Sequence, residues 1–223
     1  MEFDVVIKRS ARRKTVALRI LNARTVELRA PAWVSDRYLD ELLRKRAEWL
    51  QEALAKCPSP LSYRDGDKVM LHGRMHTLRW FVPQGRGAVC CVDDVLYLPV
   101  SNEPDAAKAL MTFLRERAVS ELTSRCQQLA EQVGRQPSRI QVRSFSARWG
   151  SCDTRGVIKL NWRLVMAPDE VRDYVIFHEL AHMVEMNHSV HFWREVAAWV
   201  PNYKAHCQWL KKNGPGLLAV GHI

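Results

Sequence analysis

The sequence predicts an α+β protein in two parts: a small antiparallel β module carrying a helix over residues 1–100, then a helix-rich domain over residues 101–223. Three observations carry this. Short stretches before residue 100 alternate apolar and polar residues with a period of two, as half-buried strands do. Beyond it a long stretch repeats its apolar residues at helical spacing. A second helical stretch contains His178, Glu179 and His182 in the pattern H-E-x-x-H.

Composition fits this class. Hydrophobic residues make up 47% and charged residues 26% of 223, ordinary values for a chain that buries a core, which excludes disorder over most of its length. No run approaches the roughly 18 uninterrupted apolar residues of a membrane span, and the opening MEFDVVIKRS has no apolar signal-peptide core. Membrane attachment is therefore not expected, and the expected address is the cytoplasm. The six cysteines (Cys57, Cys90, Cys91, Cys126, Cys152, Cys207) show no C-x-x-C pair, so reduced, mostly buried thiols are expected. Lys and Arg number 34 against 24 acids, a net charge of +10. That balance permits attraction to nucleic acid, nucleotides or acidic protein, and it is equally the mark of a solvated basic surface.

Taken in order, Phe3, Val5 and Ile7, then Val16, Leu18 and Ile20, then Val26 and Leu28 mark three strands. Between the first two lies the basic turn Lys8–Lys14, able to grip phosphates or simply to stay solvated. Pro31 ends the sheet segment. Ser35 caps one helix in which Leu39, Leu42, Leu43, Trp49, Leu50, Ala53 and Leu54 share a face. Cys57-Pro58-Ser59-Pro60 breaks it. Short strands follow at 69–71, 76–82, 88–92 and 95–98, the last two joined at Asp93-Asp94. His72 and His76 read as turn and surface residues, because Gly73 separates them in a strand context. Ser101 or Asn102 then starts a long helix with Pro104 in its first turn, a buried stripe from Leu110 to Val133, and Gly134 as its stop.

From Ser138 strands return at Ile140–Val142 and Val157–Leu160, with a turn at Asp153–Gly156. The stretch RSFSARWGSC lies between them. Arg148, Trp149, Gly150 and Ser151 form a polar, glycine-bearing segment just upstream of the motif helix. One reading is an edge strand that holds an extended substrate by backbone pairing; the other is a plain hairpin with Trp149 in the core. After the motif, Phe192, Trp193, Val196 and Trp199 mark a packing helix, residues from Tyr203 a final one, and GPGLLAVGHI a frayed tail.

The motif itself dictates chemistry. Residues four apart on a helix lie about 40° apart around its axis, so His178 and His182 lean toward one point, which suits a metal ion. Glu179 stands beside that point without being a ligand, placed to take a proton from an activated water. A catalytic zinc takes three protein ligands and keeps a fourth position open. His188 leads as the third ligand, delivered by a left-handed turn at Asn187; His191 and Glu195 compete. Arg148, Ser151 and Tyr174 are candidate oxyanion stabilisers.

The runs RWGSC, LNWRLVMAP and YVIFHELAHMVEMNHSVHFW, in that order, resemble the YgjP-like metallopeptidase domain family, relatives of the SprT and WLM metallopeptidases. RRKTVALRI and Trp49 resemble the family's usual opening. The resemblance implies a zincin-like metallopeptidase domain over residues 101–223 with Zn2+ on His178, His182 and His188, Glu179 as catalytic residue, and a protein or peptide substrate; His191 falls on a variable position. Two other functions remain open at this point. One is hydrolysis of a nucleotide phosphoanhydride by the same metal site, which no phosphate-cradling glycine pattern supports. The other is a nucleic-acid-associated protein with a structural zinc, which needs a fourth protein ligand.

Overall fold

The computed structural model of the chain describes residues 3–22, 25–55, 62–85 and 87–221. They divide into two compact units, Met1–Pro60 and Leu61–Gly221. The expected helix break at Cys57–Pro60 lies outside the described residues.

In the first unit the alternating segments become β1 (Asp4–Ser10), β2 (Ala17–Asn22) and β3 (Thr25–Pro31). The sheet is mixed, not antiparallel throughout: β3 is central, with β2 antiparallel and β1 parallel to it. Strand alternation encodes which face is buried, not strand direction. Val26, Leu28 and Ala30 face the buried leucines of two helices, α1 (Asp36–Lys45) and α2 (Ala47–Ala55). Ser35 caps α1, its hydroxyl accepting from the Tyr38 amide at 3.3 Å. The expected single helix breaks at Arg46, whose φ is −105° and ψ 9°, and Trp49 lies half exposed off the buried face. On the opposite face of β3, Glu27 is buried between Lys8, 2.7 Å away, and Arg29, and these cations hold its carboxyl below the usual range.

The second unit contains two sheets. Strands β4 (Lys68–Leu71), β5 (Arg74–Phe81), β6 (Cys90–Val92) and β7 (Val95–Pro99) pair in the order β4-β5-β7-β6. Val69, Leu71, Leu78, Leu96 and Leu98 share one core with Leu110, Leu114 and Leu122 of the long helix α3 (Glu103–Gln132). The packing therefore carries across residue 100, and the chain divides instead after Pro60. The start and stop of α3 follow the sequence reading: Asn102 accepts from the Asp105 amide at 3.0 Å, and Gly134 takes φ +65°. His72 occupies the β4–β5 turn at φ +49° and reaches Glu121 at 2.7 Å, whereas His76 is buried, not on the surface.

The second sheet, β8 (Arg139–Arg143), β9 (Gly150–Cys152) and β10 (Val157–Asn161), has the order β8-β10-β9, so β9 is an edge strand. A 3-10 turn (Trp162–Met166) leads into α4 (Asp169–Ala181), then α5 (Val190–Trp199) and α6 (Tyr203–Ala219). The tail expected to fray is helical to Ala219 despite Pro215, with Leu217 buried. Arg163, fully buried, anchors it: Nε donates to the Val220 carbonyl at 2.8 Å, and the guanidinium lies 4.5 Å from the Trp162 ring centre. Among the described cysteines Cys126 is buried and Cys90 exposed, the rest lying between. No helix among the described residues is long and apolar enough to cross a membrane.

Candidate metal centre

Helix α4 begins after Pro168 with Asp169 and Glu170 at the positive end of its dipole. Val171, Val175, Ile176 and Leu180 are buried on it and fix its rotation. Tyr174, His178 and His182 then follow one another along a single face, one turn apart.

His182 is the C-cap of α4. Val184 and Glu185 both donate to the Ala181 carbonyl, at 3.1 and 3.0 Å, and close the turn that ends the helix. Asn187 does not take the left-handed conformation expected of it. Its amide instead bonds the Glu185 carboxylate at 3.4 Å, and Ser189 caps α5 through the Phe192 amide at 3.3 Å. A side-chain-bonded turn and the following N-cap thus bring His188 back to α4.

Ligand atoms of His178, His182 and His188 lie within 4.8 Å of one another. The Nε2 atoms of His178 and His188 are 3.0 Å apart. Nδ1 of His182 lies 3.1 Å from the Glu185 carbonyl, which places its proton there and leaves Nε2 free as a ligand atom. Phe192 packs on all three imidazoles and Trp193 on two. The competing ligands stand elsewhere: Glu195 is ion-paired with Arg135, and His191 is exposed outside the group.

The set fits a metal ion. Three imidazole nitrogens converge, and Oε2 of Glu179, the residue next to His178, is buried without a hydrogen-bond partner among the described residues. A carboxylate oxygen left bare in the interior costs several kcal/mol unless something completes it. With no ion bound, burial pushes the Glu179 carboxyl up to about 8, opposed by Arg148. Burial, then the neighbouring imidazoles, depress His178 to about 3, and burial lowers His182 as well.

These shifts set how the metal-free protein responds to pH. Glu179's contribution is full below its ordinary value of 4.5 and lost as pH rises through about 8. His178's is full above its ordinary 6.5 and lost as pH falls toward about 3. The two slopes oppose each other between 4.5 and 6.5, and Glu179's stands alone above. Metal-free protein should therefore lose about 2 kcal/mol, or roughly 5 °C of Tm, between about pH 6.5 and 8. Melting curves check this, and the decline should vanish in Glu179→Gln.

Strand β9 passes directly over Glu179. A Cβ built on Gly150 would meet Glu179 Oε1 at 2.5 Å and Cγ at 2.7 Å, so only glycine fits. The register with β10 alternates: the Trp149 carbonyl accepts from the Asn161 amide at 2.8 Å, Ser151 stands opposite Lys159, and the Asp153 amide donates to the Val157 carbonyl at 3.2 Å. The backbone groups of Gly150 and Cys152 consequently point to the open edge.

The remaining predicted site residues differ in what they reach. Ser151 follows Gly150, so its side chain lies on the strand face away from Glu179. Trp149 packs its ring on α6, where a Cβ on Gly214 would meet Cζ2 at 2.9 Å. Arg148 is exposed, lies 5.7 Å from the Phe145 ring centre, and its charge favours the ionised form of Glu179. Tyr174 accepts a bond from the Cys207 thiol at 3.0 Å, and burial raises its phenol above the usual range. Asn161, absent from the sequence reading, donates to the carbonyls of Phe145 and Arg148 at 3.2 and 2.9 Å and holds this segment in place. Its only sequence signal was its place in LNWRLVMAP.

A family model described as YgjP-like, metallopeptidase domain, matches residues 14–213. No curated protein sequence matches the chain. Among solved structures, the metallopeptidase zymogen of Pyrococcus abyssi, abylysin, is similar with a TM-score of 0.37 and 23% identity, covering 41% of this chain and 93% of that one. With the match running from the first unit through α6, the chain belongs to the YgjP-like metallopeptidase domain family.

Proposed function

We propose that the protein is a zinc peptidase in which His178, His182 and His188 hold the ion and Glu179 is the general base. The single observation behind this reading is the convergence of three imidazoles next to a buried glutamate whose Oε2 has no hydrogen-bond partner among the described residues. Bound there, zinc supplies a water activated near neutral pH and polarises a carbonyl. Glu179 takes the proton of the attacking water on Oε2 and returns it to the leaving nitrogen. Gly150 and Cys152 hold the substrate backbone along the free edge of β9. Arg148, whose charge acts on Glu179, is the residue assigned to face the developing oxyanion. Because the cluster has three protein ligands and not four among the described residues, its donor count favours a catalytic over a structural zinc.

The test is metal removal and restoration on the full chain, assayed against a peptide library and, in parallel, nucleoside triphosphates. Peptide hydrolysis should fall to background with chelator and return with about one equivalent of zinc. Metal-dependent release of phosphate from the nucleotides without peptide cleavage would replace this reading with the phosphoanhydride one.

A further inference from the structure

We propose that the first unit carries a binding surface for single-stranded nucleic acid, built where the turn after β1 meets the loop after β3. Because β1 and β3 run parallel, the segments that leave them emerge at the same end. One atom joins them: the Ser10 carbonyl accepts from the Arg13 amide at 3.3 Å and from the Ala32 amide at 3.2 Å. Arg9 locks the junction, donating to the carbonyls of Pro31, Ala32 and Val34 and pairing with Asp36. The basic turn Arg12-Arg13-Lys14 is thus held against the loop that carries Trp33.

Two features of this end are unspent on the fold. Trp33 is 77% exposed, while its neighbour Val34 is the residue of that loop buried in the core. Tyr38, in the first turn of α1, is 54% exposed. Arg12, Lys14 and Arg37 make no ion pair among the described residues, and Asp36, the acid at this end, is already taken by Arg9. The surface therefore presents unpaired cations beside aromatic faces pinned to a rigid loop.

That combination specifies the partner. Cations alone fit any polyanion, and an exposed ring alone fits any apolar group. Phosphates at regular intervals with bare bases between them use both, the bases stacking on the rings while the cations track the backbone. Duplex buries its bases and offers the rings nothing. A membrane surface calls for a broad apolar face, whereas here the rings stand among charges.

The surface is independent of the peptidase chemistry, and its test reads binding alone. The full chain is titrated into a fluorescent oligothymidylate of about twenty nucleotides, between about 50 and 200 mM salt, and anisotropy is followed. Trp33→Ala should weaken binding roughly tenfold with the salt slope unchanged. Arg12→Ser with Lys14→Ser should lower the slope of log affinity on log salt by about 1.4, since each lost phosphate contact removes about 0.7. Both changes lie on the surface, and unchanged circular dichroism and Tm confirm that each variant is folded. No binding by the native chain at about 50 mM salt, variants within about twofold of native, or a duplex bound as tightly as the single strand overturns the proposal. So does Trp33-dependent capture by phosphatidylserine vesicles in place of the oligonucleotide, which identifies a membrane partner.

Discussion

Glu179→Gln should lower kcat by about 10²–10⁴ while leaving zinc content at the native level. The change keeps the side chain's shape and removes its ability to accept a proton. His178 and His188 meet through their Nε2 atoms, and His182 is fixed from behind by the Glu185 carbonyl; Glu179 supplies none of these contacts, so the ligand set should survive. The variant should also be more stable than the native chain when both are metal-free above pH 8, because a carboxylate that ionises in the interior is gone. Metal content by atomic spectroscopy, kcat and melting curves together separate a lost proton acceptor from a lost ion. Native-rate cleavage by a variant with full zinc would remove Glu179 from the mechanism.

The parts of this site that were legible in the sequence are those set by local periodicity. His178 and His182 four apart on one helix need only the 3.6-residue repeat, and Asn102, Pro104 and Gly134 bound α3 because capping chemistry is local. His188 was legible as a residue but not by its route: the turn is closed by Ala181 and Glu185 without a left-handed Asn187. What failed to show depends on distant partners. The pattern of Leu39, Leu43, Leu50 and Leu54 runs straight through the break at Arg46, because two helices covering one sheet bury the same residues as a single helix would. The boundary near residue 100 followed a change of texture, yet the leucines of β5 and β7 pack on α3, so the core ignores it. Trp149, Gly150 and Asn161 received their roles from α6, Glu179 and the Phe145–Arg148 segment, contacts that no window of sequence contains.

Gly150→Ala tests the most crowded of those contacts, and it should cost roughly 100-fold in kcat/KM with zinc retained. The added methyl would stand 2.5 Å from Glu179 Oε1, 2.7 Å from Cγ and 2.8 Å from Cδ, closer than real Cβ contacts come, so one partner must move. Two outcomes are distinguishable. If the carboxylate rotates away, the proton acceptor is misplaced and kcat falls with little change in KM. If β9 lifts, the open-edge groups of Gly150 and Cys152 shift and substrate pairing weakens, so KM rises as well. The strand is tied to β10 by bonds at Trp149 and Asp153 on either side and by Asn161 above it, whereas the carboxylate is held at Oε2 by no hydrogen bond among the described residues. The weaker restraint yields first, so the loss should fall mainly on kcat. A Gly150→Ala variant with native kcat and native zinc content would mean that the approach of β9 to Glu179 has no part in the chemistry.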